Sequence, residues 1–117
     1  MNIIITNNPL VEAKFRGRFK IEFRELKSDV LSCARDLVHA GHSLLTHPLS
    51  GSVKPNETPY KSVLVSGDMG ILDEQSLRII EDCIQVSRGF VSRAFPEENL
   101  PDLQEIDLSL TSSAPVG

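Results

Sequence analysis

The chain has 117 residues, of which 40% are hydrophobic and 24% are charged, and its formal net charge is -4 at pH 7. This length suffices for one hydrophobic core and is too short for two ordinary domains. No apolar run approaches the roughly 18 residues that cross a bilayer, so the sequence predicts neither a membrane-spanning protein nor a membrane partner.

The beginning of the chain predicts a central strand followed by a short helix. Ile3–Ile5 is a short continuous apolar run, which is typical of a strand covered on both faces. No basic residue precedes it, so we expect a strand, not a signal peptide, and a cytoplasmic protein. Asn8 followed by Pro9 indicates a helix start, with Asn8 as the N-cap, and this helix should end before Gly17.

The next segment predicts an edge strand and a longer helix. Residues 19 to 23 alternate between apolar and charged side chains, which is the pattern of a strand with one wet face. Ser28 is a suitable N-cap for a helix that runs to Ala40, with His39 near its end and Gly41 as its terminator.

Two further strands and the longest helix are predicted in the second half. The runs 44–45 and 63–65 are short and apolar, and a polar, proline-rich loop separates them. Asp73 should cap a helix with a wide apolar stripe, which Pro96 should end.

The negative charge is concentrated in the last residues. Residues 1 to 95 carry all 12 basic groups and 11 of the 16 acidic groups, so this part is close to neutral. We predict a single α/β domain over residues 1–95. Residues 96–117 form an acidic tail, and the alternating apolar residues from Leu103 to Leu110 suggest an added strand or a disordered segment.

The order of these elements predicts an α/β sandwich with a mostly parallel sheet of four to five strands and Rossmann-like winding. If the first strand lies in the middle, with the second and third on either side, the winding direction reverses between strands one and three. Open α/β sheets bind ligands in such a crevice, beside the carboxyl ends of the strands.

The candidate site combines the end of the first strand with the polar loop. Glycine and serine can present backbone N–H groups to an anion, lysines add positive charge, and the first helix points its N-terminus into the crevice. A small anionic ligand is the natural occupant, although the same polar groups could simply satisfy the loop's own backbone. The candidate ligand-binding residues are Asn7, Asn8, Thr46, His47, Ser50, Gly51, Ser52, Lys54, Asn56, Glu57, Tyr60 and Lys61.

Several other functions lack support in the sequence. Neither a GxxxxGK[ST] loop nor a GxGxxG fingerprint is present, so we expect no nucleotide and no other cofactor. The near-neutral charge of residues 1 to 95 disfavours nucleic-acid binding.

The histidines and cysteines do not indicate a metal site. His42 and His47 would lie roughly 16 Å apart in an extended strand, too far to share a metal ion. Cys33 and Cys83 have the apolar surroundings of buried free thiols.

The sequence also resembles a known family. Residues 3 to 11 read IIITNNPLV, residues 41 to 62 read GHSLLTHPLSGSVKPNETPYKS, and a helix starts at Leu72 and Asp73. This combination resembles the GrdX family, small proteins encoded beside the glycine, sarcosine and betaine reductase components of anaerobic bacteria. The resemblance covers residues 2 to 90 and leaves the acidic tail outside. It implies a cytosolic accessory role in amino-acid reduction and supplies no catalytic residues.

We therefore expect an accessory protein of this reductase system that binds a small anionic ligand or a reductase component. Whether the protein is an enzyme stays open. The alternative is a small transferase or hydrolase acting on a phosphorylated or carboxylate metabolite, with His47 beside Ser50 as its reactive groups, although no nucleophile elbow supports it. A third hypothesis is an interaction protein whose acidic tail docks on a basic partner.

Overall fold

A computed structural model describes residues 1–46, 59–88 and 97–112 of the chain. Within these ranges the chain forms three strands, four α-helices and a short 3-10 turn at residues 97–99. In chain order the elements are β1 (Ile3–Thr6), α1 (Pro9–Phe15), β2 (Lys20–Phe23), α2 (Lys27–His39), β3 (Ser62–Val65), α3 (Glu74–Arg88) and α4 (Leu100–Ser112).

The three strands form one mixed sheet in the order β2-β1-β3. β2 lies parallel to β1, with Ile3 opposite Lys20, whereas β3 lies antiparallel to β1, with Ile3 opposite Val65. The carboxyl end of β1 therefore meets the amino end of β3, where Thr6 faces Ser62. The predicted central position of β1 and edge position of β2 are confirmed.

The predicted sheet of four to five mostly parallel strands is wrong. In the described residues the sheet has three strands and only the β1–β2 pair is parallel. The predicted strand at 44–45 is reduced to an isolated bridge between Leu44 and Val65, made by the bonds from Leu45 N to Leu64 O and from Ser66 N to Ser43 O. This segment runs antiparallel to β3 and therefore in the same direction as β1. The segment 44–45 is thus parallel to β1, as expected for a strand–helix–strand unit. It does not pair with β1, because β3 lies between them.

Helices cover both faces of the sheet. On one face, α2 and α3 pack against Ile3, Ile5 and the valines of β3. On the other face, Ile4 and Leu64 pack against Val11 and Phe15 of α1, with Leu108 of α4 beside them. All four residues of β1 are buried, because alternate side chains point into these two layers. Burial on both faces explains why β1 reads as a continuous apolar run.

The helix ends follow the local sequence signals, with one exception. Leu10 N donates to Asn8 Oδ1 over 3.0 Å, so Asn8 caps α1, and Pro9 is the first helical residue. Asp73 caps α3 by accepting from the backbone of Gln75. The predicted cap of α2 is wrong, because α2 starts one residue before Ser28, with Leu26 in the N-cap position.

The predicted acidic tail contains a helix instead of an added strand. Leu100–Ser112 form α4, which packs against α1. Its inward side carries Gln104, Asp107 and Leu108 among the less exposed residues, whereas Ile106 and Leu110 are exposed. Because polar residues lie on the inward side of α4, its sequence lacks the apolar period of a helix. Its exposed apolar residues instead alternate with polar ones, which is the pattern of a strand.

The turn after α2 depends on a glycine. Gly41 has φ of 115°, and a Cβ at this position would lie 2.5 Å from Gly70 O. Gly70 N in turn donates to Gly41 O over 3.0 Å, so the two backbones are in direct contact. A side chain at position 41 would face both an unfavourable backbone conformation and a steric clash.

We expect Gly41→Ala to lower the free energy of unfolding by about 2 kcal/mol or more, because strain at one such backbone position costs about 1–3 kcal/mol before the clash is added. Gly70→Ala is the matched control, since a Cβ there meets nothing within 4 Å. We expect that variant to change stability by less than about 0.5 kcal/mol. Urea denaturation measures both values, and equal losses in the two variants would contradict this account.

Candidate functional site

The candidate site lies where β1 ends and β3 begins. Asn7, the residue after β1, uses its side chain to hold the chain entering β3. Asn7 Nδ2 donates to Pro59 O over 2.7 Å, and Asn7 Oδ1 accepts from Lys61 N over 2.9 Å. Both polar atoms of this amide therefore bind the protein's own backbone. Asn7 fixes the point at which the loop returns to the sheet.

Asn8 is fully buried and joins α1 to α4. Its Oδ1 caps α1, while its Nδ2 donates to Gln104 O over 2.9 Å and to Asp107 Oδ2 over 3.0 Å. The side-chain amide of Asn8 thus accepts a hydrogen bond from a backbone N–H in the first turn of α1 and donates hydrogen bonds to α4. Gln104 makes a second connection, because its Nε2 donates to Tyr60 Oη over 2.7 Å.

A closed ring of hydrogen bonds connects Asn8, Thr6, Ser62 and Asp107. Asn8 N donates to Thr6 Oγ1 over 2.9 Å, and Ser62 Oγ donates to Asp107 Oδ2 over 2.7 Å. Since a hydroxyl has one proton, the 2.7 Å bond between Thr6 and Ser62 must be donated by Thr6. Every proton in this chain points toward the Asp107 carboxylate, which Asn8 Nδ2 also reaches. We call these four residues the Asp107 ring.

The Asp107 ring makes the start of α1 a poor site for an anionic ligand. That helix is short, at seven residues, and its N-cap amide already binds a carboxylate from the same chain. The negative charge expected from a ligand at this helix end is therefore supplied by Asp107. Any external anion needs other groups at this end of the sheet.

Two lysines provide such groups. Lys61 directly precedes β3 and Lys27 is the first residue of α2, and both are half-buried. Burial lowers the pKa of Lys61, an effect that the charges of Asp107 and Cys83 partly oppose. Burial also lowers the pKa of Lys27, and the charge of Lys61 lowers it further. Two lysines at this end of the sheet are therefore partly desolvated, which works against their charged forms.

The two cysteines are free thiols, as predicted. Cys83 on α3 is buried, whereas Cys33 on α2 is only half-buried. Burial raises the pKa of both thiols, and the nearby Lys61 opposes this effect at Cys83. A raised pKa keeps a thiol protonated and weakly nucleophilic, which is typical of structural cysteines.

The structure brings together only part of the predicted site. Asn7, Asn8, Tyr60 and Lys61 lie at this end of the sheet. Thr46 lies on the outer side of β3, where its Oγ1 accepts from Leu64 N over 3.0 Å. The remaining candidates lie outside the described residues and stay predictions, including the transferase or hydrolase hypothesis that depends on His47. They are His47, Ser50, Gly51, Ser52, Lys54, Asn56 and Glu57.

The described histidines have structural neighbours. His39 lies near the end of α2, as predicted, although it is the last helical residue and Ala40 is the C-cap. Its Nε2 lies 3.4 Å from Glu81 Oε1 on α3. The ring of His42 is bonded through Nδ1 to Ser66 O over 2.6 Å. Among residues 1–46, 59–88 and 97–112, no cluster of three or more histidine, cysteine or acidic residues could hold a metal ion. No helix in these ranges has the length and apolar character needed to span a membrane.

Comparison with known families identifies the chain. Residues 3–115 match the family model described as GrdX-like protein. The chain belongs to the GrdX-like family. Comparisons with curated proteins and with solved structures gave no match. The family match extends beyond residue 90 and includes α4, so the expectation that the tail lies outside the resemblance is corrected. Asp107 is thus within the matched region of this GrdX-like protein.

Sequence reasoning missed the groups contributed by α4 and α2. Asp107 and Gln104 lie in the segment predicted to be an added strand or disordered, and Lys27 is not among the candidate ligand-binding residues. A detectable signal was Pro101, which suits the first turn of a helix, followed by Leu103 and Asp107 at helical spacing. Asp107, Gln104 and Lys27 come close to the end of β1 only through packing between distant segments. The sequence around each of them does not indicate this contact.

We expect Asp107→Ala to lower the free energy of unfolding of this GrdX-like protein by about 2 kcal/mol, because buried donors on Asn8 and Ser62 lose their acceptor. Glu105→Ala is the matched control, since it removes an exposed acid from the middle of the same helix. Asp107→Asn keeps an acceptor and should fall between the two. A loss in Asp107→Ala no larger than in Glu105→Ala would show that the Asp107 ring contributes little to stability.

The lowered pKa of Lys61 predicts a pH-dependent stability difference. Between that lowered pKa and the ordinary lysine value of about 10.4, the unfolded chain binds more protons than the folded chain, so the free energy of unfolding rises with pH. Below the folded pKa the cost of burying the ammonium is fully present. We therefore expect Lys61→Met to be more stable than the wild type at about pH 7, with the difference shrinking toward about pH 10.

Chemical denaturation of both proteins across this pH range measures the difference. The two thiols have raised pKa values, so they act in the opposite direction at alkaline pH. Subtracting the two curves removes the contribution of Cys33. The pKa of Cys83 also responds to Lys61, so both proteins are compared in a Cys83→Ala background. A stability difference that stays constant or grows with pH would exclude a burial cost at Lys61.

Proposed function

We propose that this GrdX-like protein is a non-enzymatic accessory module of the glycine, sarcosine and betaine reductase system, and that it binds a small anionic ligand between Lys27 and Lys61. The family membership supports the biological context. The observation that carries the ligand proposal is the position of two half-buried lysines at the same end of the sheet, with Lys61 directly before β3 and Lys27 at the start of α2.

Electrostatics favours an anion at this position. The charge of Lys61 lowers the pKa of Lys27, and burial disfavours the charged form of both lysines. A small anion between the two ammonium groups would reduce their repulsion and replace part of their lost hydration. Burial is the largest influence on the pKa of Lys61, and the charge of Asp107 acts in the opposite direction.

The start of α2 adds a second favourable feature. This helix has 13 residues, and its N-cap residue Leu26 has no side-chain hydrogen bond to the first turn. The first N–H groups of such a helix carry partial positive charge and can receive an anion. Lys27 places its charge at this same helix end, so the backbone and the side chain would attract the same ligand.

The ligand class follows from charge and size. A phosphate, a carboxylate or an acyl phosphate has the compact negative group that two lysines can share. The resemblance to the GrdX family suggests a metabolite of amino-acid reduction. The predicted loop residues Ser50, Gly51, Ser52 and Lys54 would complete such a site, since this loop ends at Lys61.

A reductase component is the alternative occupant. An acidic segment of such a protein could neutralise Lys27 and Lys61 in the same way as a free anion. In that case small anions would bind weakly, and purified glycine reductase components would bind the wild type more tightly than Lys61→Met. Measuring both kinds of binding separates the two occupants.

We expect acetyl phosphate or phosphate to stabilise the protein against heat. A ligand at ~10 mM with a dissociation constant of ~1 mM adds about 1.4 kcal/mol, which raises the melting temperature by about 5 °C in a domain of this size. Glycine and betaine serve as comparison ligands, because both are zwitterions without net negative charge. Differential scanning fluorimetry provides the readout.

Matched variants test the role of the two lysines. Lys27→Met and Lys61→Met should each lose most of the ligand-induced shift. Lys14→Met removes an exposed lysine from α1 and should keep it. If no anion shifts the melting temperature and no reductase component binds, the proposed function is wrong. Equal shifts in all three variants would place any anion elsewhere.

A further inference from the structure

The opposite end of the sheet carries the second feature of interest. At the amino end of β1, Asn2 is bonded to both neighbouring segments. Asn2 O accepts from Lys20 N over 3.0 Å, and Asn2 Oδ1 accepts from Gly67 N over 3.1 Å. The turn that precedes β2 and the loop that follows β3 therefore lie side by side at this end. Strand spacing puts them about 10 Å apart.

The loop after β3 exposes large apolar side chains. Ile71 is 96% exposed, Met69 is 65% exposed and Leu72 is 42% exposed, although they lie within four residues of one another. Asp68 and Glu74 are exposed beside them. The sequence contains no lysine or arginine from residue 62 to residue 77. We call residues 67–74 the acidic-apolar loop.

The base of the acidic-apolar loop is tightly held. Gly70 N donates to Gly41 O, and Ser66 Oγ donates to Asp68 O over 3.1 Å. A Cβ at Gly67 would lie 1.9 Å from Met1 O, so the backbones are in close contact there as well. A fixed loop that displays apolar side chains loses little conformational entropy on binding, which is typical of interaction surfaces.

The turn before β2 has the opposite charge. Arg16, Arg18 and Lys20 are exposed within five residues, and Gly17 allows the reversal with φ of 89°. The guanidinium of Arg18 lies 5.8 Å from the centre of the Phe15 ring, which gives this charge a defined position. We call residues 16–20 the basic turn.

We propose that this end of the sheet is a self-association surface, on which two copies of the chain form a symmetric dimer. In a two-fold arrangement the acidic-apolar loop of each copy faces the basic turn of the other, so the charges match twice. Ile71, Met69 and Leu72 become buried at the centre of the contact, where exposed apolar side chains contribute most.

The charge pattern favours a second copy over an unrelated partner. An unrelated partner would need to match an acidic and a basic segment about 10 Å apart. The same end of a second copy has both segments at that spacing and, after a two-fold rotation, in the required order. Dimer formation is also independent of the proposed anion site, because Lys27 and Lys61 lie at the opposite end of the sheet.

Sedimentation velocity over a concentration series up to about 1 mM tests this dimer. We expect the wild type to pass from monomer to dimer within the series. Ile71→Asp should raise the dissociation constant at least ~10-fold, since it puts a charge at the apolar centre. Ile106→Asp is the matched control, because it changes an exposed isoleucine on α4, and it should dimerise like the wild type.

Charge reversal tests the orientation of the two copies. Asp68→Lys and Arg18→Glu should each weaken the dimer, and the double variant should recover much of the affinity because the pairing is restored with reversed signs. A wild type that stays monomeric throughout the series overturns the proposal. So does a dimer that Ile71→Asp and Ile106→Asp weaken equally, or one that the double variant fails to restore.

Discussion

The arrangement of this protein depends on one buried carboxylate. Asp107 Oδ2 accepts hydrogen bonds from Ser62 Oγ and Asn8 Nδ2, and through Ser62 it also orients the hydroxyl of Thr6. These bonds join the ends of β1 and β3, the first turn of α1 and the middle of α4. The donors from Asn8 N through Thr6 to Ser62 all point toward Asp107, so these bonds can strengthen one another. Loss of the acceptor would leave one N–H of Asn8 Nδ2 and the O–H of Ser62 without an acceptor, although Asn8 would keep its bond to Gln104 O and Ser62 its bond from Thr6.

The bonds around Asp107 and Asn7 also engage side chains at the carboxyl end of the sheet that were candidates for ligand binding. The amides of Asn7 and Asn8 are engaged with the backbone of the returning loop and with α4. On the side of α2, burial lowers the pKa of Lys27, and the charge of Lys61 lowers it further. The family match reaches residue 115, which agrees with α4 being an integral part of the fold and not an appended tail.

Features with a local chemical cause could be predicted from the sequence. The buried run Ile3–Ile5, the Asn8-Pro9 helix start and the Gly41 terminator each act within one or two turns of chain. The direction of β3 could not be predicted, because a short apolar run is compatible with either direction and the pairing is settled by distant contacts. Of the candidate site, the position of Asn7 and Asn8 at the carboxyl end of β1 could be predicted. The proximity of Asn7 to Lys61 could not, because it depends on the antiparallel direction of β3, and Asp107 and Lys27 reach this end through packing.

Ser62 and Lys61 are neighbours in the chain, but their side chains lie on opposite faces of the sheet, so Asp107 and the candidate ligand site are on different faces. Successive side chains along an extended chain point to opposite faces of the sheet. Ser62 therefore reaches Asp107 on the α4 side, while Lys61 faces α2 and α3, in keeping with the influence of its charge on Lys27 and Cys83. The bond from Lys61 N to Asn7 Oδ1 holds this register. A slip by one residue would turn the Lys61 side chain to the α4 side of the sheet and would take Ser62 away from Asp107, so the Asp107 ring depends on this register.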